Sequence, residues 1–275
     1  MQICVVAEAW RAHPLAWIHR AEAASVAAEL RRAGHAVTLI RYHRPGPFPP
    51  GMPLLRLSDP VMLQATRALS DVGVPYVGPA AAALERCYDK YAASRFAAEH
   101  GIDCPATAFP NEAAPLRHPL ILKPRRGSDS IGVRLLTRGA VPRHHASSEY
   151  LVQEYVRGFD VTVALLGGRV GMPLRVMLRE GQPYSFLRKY LLRPRHEALC
   201  DAKLATRVRD LAVKIARVFE AEWAVRVDFI LESGSGRLWF LECDAAPLVG
   251  SRSAFAASLA AAGCGRAEQL ALLLG

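Results

Sequence analysis

The sequence predicts a mixed α/β protein of the α+β kind, and three observations carry that class. Near the N-terminus an apolar run, an Ala-rich helical stretch and a second apolar run form a β-α-β unit, which implies parallel strands and a right-handed crossover. Beyond the middle, strand-like runs at residues 119–124 and 133–136 read as a strand and its return. Later, residues 223–231 and 237–242 flank Glu232-Ser233-Gly234-Ser235-Gly236, the signature of a hairpin. The chain has 275 residues, 51% hydrophobic and 22% charged, which suits a sizeable core in one large domain or in two to three small lobes.

Taken in order, residues 3–6 form a short buried strand and residues 15–33 a helix, closed by Gly34 where a C-cap wants glycine. Residues 36–40 give the second strand. The turn AEAWRAHP between strand and helix has no GxGxxG, which argues against a Rossmann-type dinucleotide site. Residues 45–53 (PGPFPPGMP) hold five prolines and read as an exposed connection, neither helix nor central strand. A helix at 60–72 and a short strand and turn at 74–78 complete a small N-terminal α/β lobe, residues 1–78. A helix at 89–100 ending at Gly101, an extended stretch at 102–109 and the strands at 119–124 and 133–136 make a central lobe, 79–152. Strands at 150–155 and 160–166 follow, then a helix at 210–219. The hairpin and an Ala/Leu-rich helical tail at 253–274, broken at 263–265, complete a C-terminal lobe, 153–275.

The charge balance is 35 Lys+Arg against 25 Asp+Glu, a net +10 that favours anionic partners. The basic residues are scattered and no reader motif accompanies them, so nucleotide phosphates are expected and nucleic acid is not. No apolar run reaches the roughly 18 residues of a spanning helix, and the N-terminus lacks a basic stretch feeding an apolar one. The expectation is a cytoplasmic protein with no membrane partner. Cys4, Cys87, Cys104, Cys200, Cys243 and Cys264 show no CxxC and no zinc spacing, and read as small buried hydrophobes. Trp10 and Trp17 are expected to pack against the proline-rich segment, and 193–196 to form a solvated loop.

Chemistry concentrates in the hairpin. Side chains alternate along a strand, so Glu242 and Asp244 share a face, Cys243 turns inward, and hairpin pairing brings Asp228 to the same face. Three converging carboxylates repel unless something positive neutralises them. Mg²⁺, held by carboxylates and substrate phosphates, would do so, and so would pairing with Arg226. A second constellation is Lys123 at a strand end with the loop RRGSDSIG behind it, whose glycines and hydroxyls suit phosphate contacts, although the order is not that of a P-loop.

The segments PLILKPRRGSDSIGV, YLVQEYVRGFDVTVALLG and VRVDFILESGSGRLWFLECDAAP, in that order and spacing, resemble the ATP-grasp superfamily, and within it D-alanine–D-alanine ligase and related carboxylate–amine ligases. The resemblance runs from about residue 88 to 263. It implies an ATP-grasp fold, a small N-terminal α/β lobe plus two lobes that clasp ATP. The activity it implies is an ADP-forming ligation of a carboxylate to an amine through an acyl phosphate, with ATP and two Mg²⁺ ions, or Mn²⁺, as cofactors. By position, Lys90 and Lys123 match the phosphate lysines. The Glu154 carbonyl and Val156 amide match the adenine hinge, and Asp160 the ribose acid. Asp228, Glu242 and Asp244 fall on the metal ligands and Arg226 on the arginine that steadies the acyl phosphate. Lys189 and Tyr190 fall in the mobile lid, Ser130 in the loop beneath it, and Ser253 on a serine that binds the second substrate's carboxylate. The implied partners are small-molecule carboxylate and amine substrates, with a homodimer left open.

Departures from that pattern lie mainly in the substrate half. Asp244 stands for an asparagine, Leu248 for a glycine whose amide serves the oxyanion hole, and Asp129 for a serine. The first lobe lacks the glutamate-containing signature that receives the first D-alanine's ammonium; Glu8 lies near that turn, but AEAWRAHP does not match. LRLSDPVMLQ replaces a His-Gly-rich loop. An amino-acid-like substrate in a specialised small-molecule pathway therefore fits better than D-alanyl-D-alanine synthesis. The competing readings are an ATP-grasp enzyme that closes an intramolecular amide ring or phosphorylates another acceptor, and a non-catalytic nucleotide-binding module.

Overall fold

A computed structural model describes residues 1–9, 16–42, 48–112, 116–127, 131–138, 141, 145, 147–177 and 195–275. The chain opens with β1 (Gln2–Glu8), whose residues from Ile3 on are buried. It continues through α1 (Ala16–Arg32), β2 (Ala36–Tyr42) and β3 (Met52–Arg56). Gly34 sits at φ 87°, the left-handed position that closes a helix without Cβ strain. The strands lie in the order β2-β1-β3, both pairs parallel, as the β-α-β pattern requires. The proline-rich connection is shorter than expected, because Met52 and Pro53 already pair with Ile3 and Cys4 of β1. Proline is tolerated there because β3 is an edge strand. The strand expected at 74–78 is a single bridge between Leu54 and Val77.

Helices α2 (Asp59–Asp71), α3 (Ala81–Tyr88) and α4 (Lys90–Glu99) follow. Helix α3 begins without a start signal, its N-cap being Ala80 with no capping side chain. Asp89 caps α4, accepting from the Tyr91 and Ala92 amides.

A second, antiparallel sheet is ordered β4-β7-β5-β6, from β4 (Thr107–Ala108), β5 (Leu120–Pro124), β6 (Arg134–Leu136) and β7 (Tyr150–Glu154). The third sheet follows from β8 (Gly158–Leu166), β9 (Arg169–Val170), β10 (Leu174–Val176), β11 (His196–Ala198), β12 (Ala224–Glu232) and β13 (Leu238–Asp244). Its order is β11-β10-β8-β12-β13, with β9 on β8. Strands β9 to β11 went unanticipated, since two or three residues carry no readable period. Helix α5 (Ala202–Val218) starts well before the expected 210, where Asp201 accepts from the Leu204 amide. The tail folds as α6 (Ala254–Ala261) and α7 (Arg266–Leu274).

Two large cores join the first sheet to the third. One face of β1 packs Ile3, Val5 and Ala7 with Val26 and Leu30 of α1 and with Phe255 and Leu259 of α6. The other packs Cys4 and Val6 with α2, α5 and the inner residues of β12 and β13. The second sheet has its own small core of Leu120, Leu122 and Val152. A buried ion pair also fastens the first sheet's lobe to the tail. Arg56 donates to both Glu22 oxygens, at 2.9 and 3.1 Å, and to the Pro247 carbonyl at 2.7 Å, while Glu22 also accepts from the Val249 and Gly250 amides.

Three local expectations are corrected. Trp17 is 54% exposed and not packed, because α1 turns it away from the core. Cys200 is exposed, just before the start of α5, whereas Cys4, Cys243 and Cys264 are buried as expected. His196 belongs to β11 and not to a solvated loop. Among the described residues no helix is long and apolar enough to cross a membrane.

Candidate active site

A cavity of about 210 Å³ lies between the second and third sheets. In β5, Ile121 and Lys123 face it while Leu120 and Leu122 fill the small core, so period-two alternation alone aims the lysine. The Lys123 ammonium donates to Gln153 Oε1 at 3.0 Å, and Gln153 donates in turn to Thr107 Oγ1 at 2.8 Å. Burial, then the neighbouring Lys90, pushes the Lys123 pKa down to about 8. Lys90 is the first residue of α4 and donates to the Gly127 carbonyl. Its backbone amide bonds the Arg125 carbonyl, and the Arg125 side chain reaches the capping Asp89 at 2.7 Å. The two lysines therefore share one braced corner.

The strand link at the cavity's edge is built from Glu154, Tyr155, Val156 and Gly158, all of which line it. The Glu154 side chain accepts from the Arg117 amide at 3.0 Å, leaving its backbone to shape the edge. Gly158 is required by space: a Cβ there would stand 2.2 Å from the Leu231 carbonyl oxygen. Two residues on, Asp160 faces the cavity. Burial, then the Asp228 charge, pushes its pKa up to about 7.

The floor of the cavity is the hairpin. Arg226 pairs in register with Asp244, and Asp228 with Glu242. The Arg226 guanidinium reaches Asp228 at 3.1 Å, Glu242 at 3.3 Å and Asp244 at 3.2 Å. Although burial pulls the other way, these three carboxylates hold Arg226 well above its usual pKa. Asp228 also accepts from Thr162 Oγ1 at 2.7 Å. Burial nevertheless pushes Asp228 up to about 6, outweighing Arg226.

A β-bulge makes this floor possible. Asp228 faces Glu242, but the next residue, Phe229, faces Phe240, so Leu241 is the extra residue. Unbroken alternation would turn Phe240 to the same side as Glu242. With the bulge, Phe240 and Cys243 enter the core, Leu241 and Glu242 line the main cavity, and Asp244 lines a smaller one beside it.

That smaller cavity, about 60 Å³, shares Lys90, Gly127, Arg226 and Glu242 with the first and reaches His19, Asp59, Tyr88 and Leu248. The structure thus gathers Lys90, Lys123, Glu154, Val156, Asp160, Arg226, Asp228, Glu242 and Asp244 around two adjoining cavities. Ser253 is placed differently: it caps α6, accepting from the Ala256 amide at 3.1 Å, and its neighbour Ala254 lines the main cavity. Ser130, Lys189 and Tyr190, and with them Asp129 and Trp10, lie outside the described residues. Thr162 was missed; Gln153 and His196 also line the main cavity. Thr162 stands directly opposite Asp228 across β8 and β12, a register that no motif announces.

Among the described residues no three His, Cys, Asp or Glu side chains stand at metal-ligating spacing; the carboxylates close on Arg226 instead. The donor set nevertheless fits Mg²⁺ with ATP. Such an ion takes one or two carboxylates plus phosphate oxygens, and Asp228, Glu242 and Asp244 offer oxygen donors alone at the edge of the two cavities.

Residues 95–274 match the family described as D-ala D-ala ligase C-terminus. The D-alanine–D-alanine ligase of Bordetella petrii is 28% identical over 221 residues, 73% of this chain and 67% of that protein. Two solved structures share the fold. That of D-alanine–D-alanine ligase from Bacillus anthracis has a TM-score of 0.82 at 17% identity, over 99% of this chain and 96% of that one. That of the VanG D-Ala:D-Ser ligase from Enterococcus faecalis has a TM-score of 0.81 at 20% identity, over 100% and 98%.

Proposed function

This chain belongs to the D-Ala–D-Ala ligase C-terminus family of ATP-grasp, ADP-forming carboxylate–amine ligases, and on that premise we propose that its two cavities divide the reaction between nucleotide and substrates. The observation that carries the reading is Arg226, wrapped by three carboxylates on the strand pair that floors the larger cavity and reaches the smaller.

In the larger cavity, the Glu154 carbonyl and Val156 amide bind the adenine edge and Asp160 holds the ribose hydroxyls. Lys90 and Lys123 bring positive charge to the phosphates. Asp228, Glu242 and Asp244 would hold Mg²⁺, two ions in the family's manner, and the metal supplies neutralisation of the phosphate oxygens. A carboxylate alone does not acylate an amine at neutral pH, because its leaving group would be oxide. Its oxygen therefore takes the γ-phosphoryl group from ATP and ADP leaves. The amine nitrogen then attacks the acyl carbon, gives up a proton, and phosphate departs. Arg226 presents fixed positive charge where the oxyanion develops. By resemblance Lys189 and Tyr190 belong to a lid that keeps water from the acyl phosphate and Ser130 to the loop beneath it, while Ser253 meets the second substrate's carboxylate.

The substrates are amino-acid-like and the product is not principally D-alanyl-D-alanine, because Leu248 and the first-lobe corner replace the groups that would receive D-alanine. ADP release and product mass, measured with MgATP and a panel of amino acids and small amines, test this. An amide product is expected. A stable phosphorylated product without an amide sinks the ligase reading. Efficient D-alanyl-D-alanine formation from D-alanine alone, with kcat/KM above about 10⁴ M⁻¹s⁻¹, overturns the substrate assignment.

A further inference from the structure

The wall of the smaller cavity holds a pair of sulfurs that the ligase chemistry does not use. Cys87 is the penultimate residue of α3, and Cys243 is the residue of β13 between Glu242 and Asp244. Helix α3 packs on β13, Cys87 lies against the core that contains Cys243, and both side chains line this cavity. The two thiols are hydrogen-bonded, sulfur to sulfur. Cys243 is 2% exposed and Cys87 is half-buried, so Cys87 is the sulfur that a small solute meets first. The cavity, about 60 Å³, admits a molecule little larger than water.

Each sulfur is anchored beside groups of the site. Directly after Cys87 and Tyr88 come Asp89, which caps α4 and pairs with Arg125, and then Lys90. Cys243 divides two carboxylates that reach Arg226. A disulfide holds its sulfurs about 2.05 Å apart, well inside hydrogen-bonding distance. Closing one here draws the turn before α4 towards β13, and a shift on the order of 1 Å in a positioning group costs about 10²-fold in rate.

We propose that Cys87 and Cys243 are a modification site for a peroxide-class oxidant, and that their disulfide switches turnover off by shifting Lys90 against the hairpin carboxylates. The loss of turnover rests on the ligase reading; the bond itself does not. The Cys87 sulfur attacks one peroxide oxygen, the O–O bond breaks, and a sulfenic acid and water result. The Cys243 sulfur then attacks the Cys87 sulfur, the S–O bond breaks, and a second water leaves. The two thiols lose two electrons to the peroxide, and their protons end in the two waters. A dithiol reductant reverses the bond by exchange. Where glutathione keeps thiols reduced, such a bond is transient and serves sensing.

The test treats the full chain with hydrogen peroxide, maps cross-linked peptides by mass, and follows melting temperature and ADP release before and after dithiothreitol. A peptide pair joining Cys87 to Cys243 is expected. The bond closes a loop of more than 150 residues, so the melting temperature should rise by roughly 5 °C or more. ADP release should fall roughly 10-fold or more and return with the reductant, whereas general oxidative damage would lower both readouts and persist. In Cys87→Ser and Cys87→Ala, each compared with its own reduced form, peroxide should change turnover by less than about twofold, which separates this pair from the exposed Cys200. No cross-linked peptide, a cross-link that leaves turnover unchanged, or a wild-type loss in both Cys87 variants overturns the proposal. A cross-link with a raised melting temperature, in a chain that releases no ADP with any substrate, would sink the ligase reading and leave the oxidisable pair standing.

Discussion

The nucleotide corner and the first-lobe corner meet at Arg226, and they are built in opposite ways. In the nucleotide corner the side chains come from short contiguous segments: Asp89 beside Lys90, Lys123 beside Arg125, and a hairpin carrying Arg226, Asp228, Glu242 and Asp244. In the first-lobe corner each contact spans a long stretch of chain, Glu8 to Ser58, Arg56 to Pro247 and Glu22 to Val249. Local construction leaves a motif; long-range construction leaves none. A site built both ways can therefore keep one corner while the other changes.

The largest effect that would break this contrast is at the hairpin. Glu242→Gln should lower kcat about 10³-fold, the worth of several kcal/mol of charge stabilisation, with little change in melting temperature. Near wild-type turnover at saturating Mg²⁺ would remove Glu242 from the metal site.

At the first-lobe corner the expected loss is in stability. Arg56 and Glu22 have side chains 1% and 7% exposed, so Arg56→Ala should cost about 3–5 kcal/mol, as for a buried pair broken on one side. Chemical denaturation measures it. A cost below about 1 kcal/mol would mean that the lobes are held by their apolar cores alone.

A smaller effect separates the two ends of the phosphate chain. Lys123→Ala should weaken nucleotide binding roughly 10- to 100-fold, the range for a charge-assisted hydrogen bond, whereas Lys189→Ala should lower kcat more than affinity. With the free Lys123 pKa near 8 and phosphate favouring the ammonium, nucleotide affinity should fall as pH rises through about 8. Lys123→Arg should flatten that fall. For folding the sign is opposite: the depressed pKa means the native state binds fewer protons than the unfolded chain above pH 8, so this group's contribution to stability rises from about pH 8 towards 10.5. A pH-independent nucleotide affinity would show that Lys123 does not meet the phosphates.

Much of the larger cavity's lining was legible because alternation and motif spacing act within a few residues. The pairing of Lys123 with the cavity, and of Glu242 and Asp244 on one face, needed no more than a strand's period. The pairing of the acids with Arg226 was an open alternative to a metal, and the structure draws them together at 3.1 to 3.3 Å. Thr162 opposite Asp228 was not readable, since register between β8 and β12 depends on how two distant segments are packed.

The alternation of strands and helices, the parallel first unit, the hairpin and the order of the chain's lysine and carboxylate side chains follow from the amino-acid order, because each is a local pattern of burial, charge and turn chemistry. Tertiary structure alone decided three things. It placed the bulge at Leu241 that turns Phe240 inward and Glu242 to the cavity. It buried Glu8 on Ser58, and it brought Asp59 to face a cavity floored by residues more than a hundred positions away. The reason is physical: period and propensity act over one or two turns of chain, whereas these placements depend on which surfaces the cores press together.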